Sequence, residues 1–159
     1  MRNLSIFTAA MLAGCSVDTV TSNPNLVAQE YIGLNEYNNR QQIKNLVGVD
    51  PVNTEWCAAF VNAVLEQNNI PSLNDTNHKY PLTARAFLDW GSPIEKNEIL
   101  QGDIVIFPRG NEGWQGHVGF YVGTTNSGNY LILGGNQANS VKYSIFPKNS
   151  VIGIRRWIE

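Results

Sequence analysis

The sequence predicts one α+β domain, with helices in its first half and an antiparallel sheet in its second. Two observations carry this. Up to about residue 91, apolar side chains recur at helical spacing between Gly and Pro breaks. From Gly102 onward, short β-branched and aromatic runs alternate with Gly, Asn and Ser turns. Length sets the domain count: the segment after residue 14 is enough for one compact domain and too short for two. Hydrophobic residues make up 43% of the 159 and suffice for a real core.

The first element is not part of that domain. The chain opens "MRNLSIFTAAMLAGCS", with Arg2 as a basic start and an apolar run over 4–12 that is too short to span a bilayer. Its end, "LAGC" at 12–15, resembles a lipobox, the bacterial lipoprotein signal, in which cleavage precedes a diacylglyceryl-bearing cysteine. The expectation is a signal peptide over 1–14, lipidation at Cys15, a polar tether over 15–25 and a domain over 26–159. Ser16, rather than an aspartate, favours the outer membrane facing the periplasm by that resemblance.

The domain is expected to begin with a helix over 26–37, "LVAQEYIGLNEY", and a second short helix that ends near Gly48. "DPVNTEW" at 50–56 is a turn with Asn53 and Thr54 as capping residues. Cys57–Gln67, "CAAFVNAVLEQ", is the clearest helix in the chain and stops at "NNIP". "TARAFLDWG" at 83–91 is another short helix. Five strands follow, in "GDIVIFPRG", "GHVGFYVG", "YLILGGN", "SVKYSIFP" and "VIGIRRWI". Sequence periodicity thus orders the strands but does not say how they pair.

Chemistry concentrates at Cys57. The chain has two cysteines. If Cys15 is acylated, Cys57 has no disulfide partner, and a free thiol in an oxidising compartment requires another purpose. The start of a helix favours thiolate over thiol, and the thiolate is the nucleophile. Two histidines are available to activate it. His78 sits in a polar loop and reads as solvated. His117 opens a strand between glycines. Cysteine opening a helix and histidine opening a later strand is the order of a papain-type site. A third polar residue that holds the imidazole is expected from "LGGNQAN": Asn136, with Gln137 and Asn139 as competitors. The Cys57 N–H is one natural oxyanion donor, with Asn53 or Thr54 as the second. Trp56 and Trp114 are candidate walls of a substrate groove, while Glu55 and Glu112 read as solvated.

Taken together, "TEWCAAFVNAVLEQNNIP", "ARAFLDWG", "GDIVIFPRG", "GHVGFYVG" and "LGGNQANSV" resemble the CHAP and NlpC-type superfamily of papain-fold peptidoglycan hydrolases, in particular its small bacterial and phage members. The resemblance runs from about residue 27 to 156. It implies a papain-like fold, a catalytic cysteine at Cys57, a histidine at His117 and a third residue at Asn136. Many such enzymes carry an acidic residue two positions before that asparagine, where this chain has Gly134.

The formal net charge of −2 provides no general attraction to nucleic acid or anionic lipid. No spacing of His, Cys and Asp reads as a metal site, and no phosphate loop calls for a cofactor. The expected protein is therefore a monomeric lipid-anchored thiol hydrolase that cuts an amide of peptidoglycan, either between muramic acid and L-alanine or within the peptides. Its rivals are a non-catalytic wall-binding or assembly lipoprotein, and a phage lysis factor or antibacterial toxin with the same chemistry.

Overall fold

The computed structural model describes residues 23–158. The expected signal peptide over 1–14, Cys15 and most of the expected tether lie outside the described residues. The fold begins at the end of the expected tether. Pro24 starts helix α1, Pro24–Gln29, where its missing N–H costs nothing. Asn23 caps it by accepting from the Asn25 N–H, and buried Asn25 donates its own amide to the Tyr121 carbonyl at 2.8 Å.

This helix is half the expected length, because tertiary pairing overrides its periodicity. Gly33, at φ 94°, leaves the helical path and donates to the Val141 carbonyl, while Leu34 O accepts from Val141 N. The Asn35 amide reaches Ser140 Oγ at 3.0 Å. The segment after α1 is thereby tied to the segment after the fourth strand. Helix α2, Arg40–Val47, closes at Gly48 as expected.

Helix α3, Cys57–Gln67, has the expected bounds. It buries both its Ala-rich side and its Phe60, Val61, Val64 and Leu65 side. Each large apolar side chain so removed from water contributes about 1.5–3 kcal/mol. Within it, buried Asn62 donates to Pro81 O and accepts from Leu73 N, which pins the following loop to the helix. The expected helix at 83–91 is a tighter 3₁₀ helix, Ala84–Asp89.

The sheet has six strands rather than five. Strands β1 (Ser92–Pro93), β2 (Ile104–Pro108), β3 (Gly116–Thr124), β4 (Tyr130–Gly134), β5 (Lys142–Phe146) and β6 (Gly153–Arg156) lie in the order β1-β6-β2-β3-β4-β5, antiparallel throughout. The unexpected strand is the two-residue edge β1. It contains Pro93, which sequence patterning counts against a strand but a sheet edge tolerates.

Alternation along the strands sorts the core into two layers. Ile104, Ile106, Val118, Phe120 and Leu133 join the helices, and Val105, Phe107, Tyr121, Tyr130, Ile132 and Ile154 form the opposite cluster. A buried Asp103 locks β6 to the lead-in of β2 by accepting from Arg156 Nε and Nη2 at 2.6 and 2.8 Å. The result is the α+β, papain-like arrangement of helices on an antiparallel sheet.

Candidate active site

Two elements meet at the site. Cys57 is the first residue of α3, and His117 is the second residue of β3, paired with Phe107 across the sheet. The backbone N–H of Val118, next to His117, faces the Cys57 sulfur. Both side chains are buried, with Cys57 3% and His117 5% exposed. Cys57 is a free thiol. Among the described residues no hydrogen bond joins the two side chains, and such contacts commonly tighten only when substrate binds.

The imidazole is fixed by one of the two competitors to Asn136. His117 Nε2 lies 3.1 Å from Gln137 Oε1. The orientation of that amide is dictated by its other end, because Gln137 Nε2 donates to the carbonyls of Ile132 and Lys142. Carbonyls can only accept, so Oε1 must face the ring and Nε2 of His117 must carry the proton. Nδ1 is then the nitrogen with a lone pair, free to take a proton from a thiol. The ring face stacks on Phe146, 5.1 Å between centroids, and Phe146 stacks on Phe107. Phe146 carries no signal in the sequence that would mark it as part of a site.

Asn136 does not make the expected contact with His117. Its backbone adopts the left-handed region at φ 55°, and its amide donates to Glu55 Oε2 at 2.7 Å instead. The glycine just before it allows a tight approach: a Cβ on Gly135 would sit 2.6 Å from the Trp56 ring. The same Glu55 oxygen accepts from Arg109 Nη1 at 2.7 Å. Asn139 turns to the other side, where its carbonyl accepts from Glu36 N.

Three further expectations are corrected. Trp56 walls no groove: it is 0% exposed, packs edge-on against Phe60 and donates its Nε1–H to buried Glu36 at 2.9 Å. Neither Asn53 nor Thr54 caps α3, whose N-cap is Trp56 with no side-chain bond. Asn53 gives its amide to Asp50 Oδ2, itself paired with Arg40, rather than to the start of α3. Among the described residues the Thr54 side chain makes no hydrogen bond. Trp114, by contrast, stands 65% exposed on the loop between β2 and β3. That loop is held by Arg85 Nε on the Gln115 carbonyl at 2.6 Å. His78 lies away in its loop, 3.8 Å from Asp89.

The protonation state also differs from expectation. Burial pushes the Cys57 thiol up, and the Val118 and Ala58 N–H groups and the Arg109 charge only partly oppose it. Burial likewise pushes His117 down, to about 4, against the raising effect of the Gln137 hydrogen bond. Both shifts favour the neutral thiol and the neutral imidazole, the forms that a general-base arrangement uses.

Comparison with known proteins identifies the family and the fold. The CHAP domain family matches residues 49–136, which include both Cys57 and His117 and end one residue before Gln137. No curated protein matches the chain. Among solved structures, it is similar to an NlpC/P60 family protein from Bacillus cereus ATCC 10987, at 16% identity and a TM-score of 0.55, over 86% of this chain and 40% of that one. It is also similar to NlpC1 from Trichomonas vaginalis, at 24% identity and a TM-score of 0.55, over 84% of this chain and 42% of that one. The chain thus spans about two fifths of the length of these structures. With its match over more than half of its length, the chain belongs to the CHAP domain family, whose members are typically cysteine peptidases or amidases of peptidoglycan.

Proposed function

We propose that the protein is an exported peptidoglycan hydrolase that cleaves an amide bond, with Cys57 as nucleophile and His117 as general base. The observation that carries this reading is the Gln137 amide. Its two donors on backbone carbonyls leave His117 one tautomer, with a basic Nδ1, in the residue adjoining the one whose N–H faces a free thiol.

The reaction follows from these groups. His117 Nδ1 takes the Cys57 proton as the sulfur attacks the amide carbonyl carbon. The Cys57 N–H, at the unpaired start of α3, lies where the tetrahedral oxyanion forms. Collapse breaks the C–N bond, and the leaving amine takes the proton from His117. Water, deprotonated by the same imidazole, then hydrolyses the thioester and returns the thiol. Exposed Trp114, beside the strand that carries His117, is an apolar platform for a sugar or peptide.

Digestion of purified sacculi, with the fragments identified by mass spectrometry, tests the activity and names the bond. The wild type is expected to release fragments and Cys57→Ala to release none while retaining its fold; equal digestion by both overturns the nucleophile. Location is part of the proposal: Cys15 carries the lipid that holds the enzyme at the outer membrane. Labelled palmitate is expected in the wild type and absent from Cys15→Ser, and equal labelling removes the anchor.

A further inference from the structure

The rim of the site holds a second arrangement that the hydrolytic step does not use. One carboxylate oxygen, Glu55 Oε2, accepts from both Arg109 Nη1 and Asn136 Nδ2, each at 2.7 Å. The three residues come from three separate segments: the lead-in to α3, the loop after β2 and the turn after β4. Each is one or two positions from a residue of the reaction site. Glu55 is two before Cys57, Arg109 is two after Phe107 opposite His117, and Asn136 precedes Gln137. The donors are thus built into the scaffold, and they converge beside the thiol on a carboxylate.

The carboxylate is the loosely held member. The Glu55 side chain is 70% exposed and, among the described residues, has no hydrogen bonds besides these two. Asn136 is buried, and its left-handed backbone aims its amide outward. Arg109 uses one of its five N–H donors here, and its planar fork is shaped to grip a carboxylate through two. Its charge reaches both Cys57 and His117.

We propose that Arg109 and Asn136 form a receptor for a carboxylate on the substrate, next to the scissile amide, and that Glu55 occupies it in the free protein. Resting on the proposed hydrolase function, this narrows the substrate to peptides with a free carboxylate near the cleaved bond and excludes those in which it is amidated. Glu55 is then an internal competitor, displaced as the substrate binds.

The test requires no turnover. In full-length protein, alkylation of Cys57 by iodoacetate and by iodoacetamide is followed by site-resolved mass spectrometry. Any change in the fraction of thiolate affects both reagents equally and cancels in their rate ratio. Glu55→Gln is expected to raise the iodoacetate-to-iodoacetamide ratio several-fold by leaving Arg109 without its anionic occupant, and Arg109→Gln to lower it several-fold. Arg109→Lys separates a receptor from a general field: it keeps the charge and loses the fork, and is expected to fall most of the way to Arg109→Gln. A ratio that moves less than twofold in Glu55→Gln and Arg109→Gln overturns the receptor, as does an Arg109→Lys ratio equal to the wild type; either leaves the hydrolase reading standing. If Cys57 takes up neither reagent in any variant, the accessible nucleophile falls and the receptor with it.

Discussion

Two polar clusters flank the reaction site and use hydrogen bonds of similar length to different ends. The His117–Gln137 contact is 3.1 Å long, buried, stacked on Phe146 and closed off by backbone carbonyls. The Glu55–Arg109–Asn136 cluster has bonds of 2.7 Å, and its two charged members stand in solvent. Length does not rank them. A buried network polarises itself in a low dielectric and strands its members if one is removed. An exposed ion pair exchanges with water and contributes about 0–1 kcal/mol. The first cluster therefore fixes a tautomer, and the second is free to open.

The largest expected effect breaks the buried cluster. Gln137→Leu removes the acceptor for His117 Nε2 and the donors for the Ile132 and Lys142 carbonyls at once. Unpaired buried groups of this kind cost about 1–3 kcal/mol each, so the urea midpoint is expected to fall clearly. With the tautomer no longer fixed, kcat is expected to fall by roughly one to two orders of magnitude, within the range of acid–base contributions. Asn136→Ala, which leaves His117 and Gln137 untouched, is expected to keep kcat within a few-fold and to act on KM. Kinetics on muropeptides check this, and a kcat in Asn136→Ala as low as in Gln137→Leu would remove the distinction between the clusters.

The difference between adjacent Asn136 and Gln137 shows where sequence reading stops. The placements of Cys57 and His117 were legible, because a thiol at the head of a periodic helix and a histidine at the head of a strand are local patterns. Which of two neighbouring amides faces the histidine depends on φ at Asn136, and no residue type reveals that angle. Trp56 was unreadable for a similar reason. An indole beside a cysteine suits a groove or a core, and Glu36, twenty positions upstream, decides for the core. In the fold, α3 carried its own boundaries, whereas the helix expected over 26–37 was cut short by pairing with Val141, more than a hundred residues away.

The buried cluster also has a pH signature of middle size. Burial holds the folded His117 pKa at about 4, below the ordinary 6.5. Between these values the unfolded chain binds a proton that the folded chain refuses, so stability rises with pH across the window and is lost as pH falls from about 6.5 to about 4. The loss is on the order of 3 kcal/mol, taking 1.36 kcal/mol per unit. Urea midpoints of wild type and His117→Gln at pH 7, 5.5 and 4 isolate it, because carboxylates elsewhere titrate in both proteins. The gap between the two is expected to change by that amount toward pH 4. A constant gap would mean that His117 is not held neutral by its surroundings.

The smallest effect is expected at the rim. Glu55→Gln keeps the size of the side chain and its carbonyl acceptor but removes the charge that faces Arg109. Arg109 is itself half exposed, at 47% of its side chain, so water solvates the guanidinium whether or not Glu55 is ionised. The Coulomb attraction lost is that of a surface pair, and the Asn136 amide retains an oxygen to donate to. The stability change is accordingly expected to stay within about 0.5 kcal/mol, and to shrink further in 0.5 M salt as screening removes what remains. Urea melts at two salt concentrations measure it. A loss of 2 kcal/mol or more, insensitive to salt, would place Glu55 among the fixed parts of the scaffold and make the rim as rigid as the buried cluster. A change near zero keeps the contrast intact: a histidine that the fold cannot release, next to a carboxylate that it barely holds.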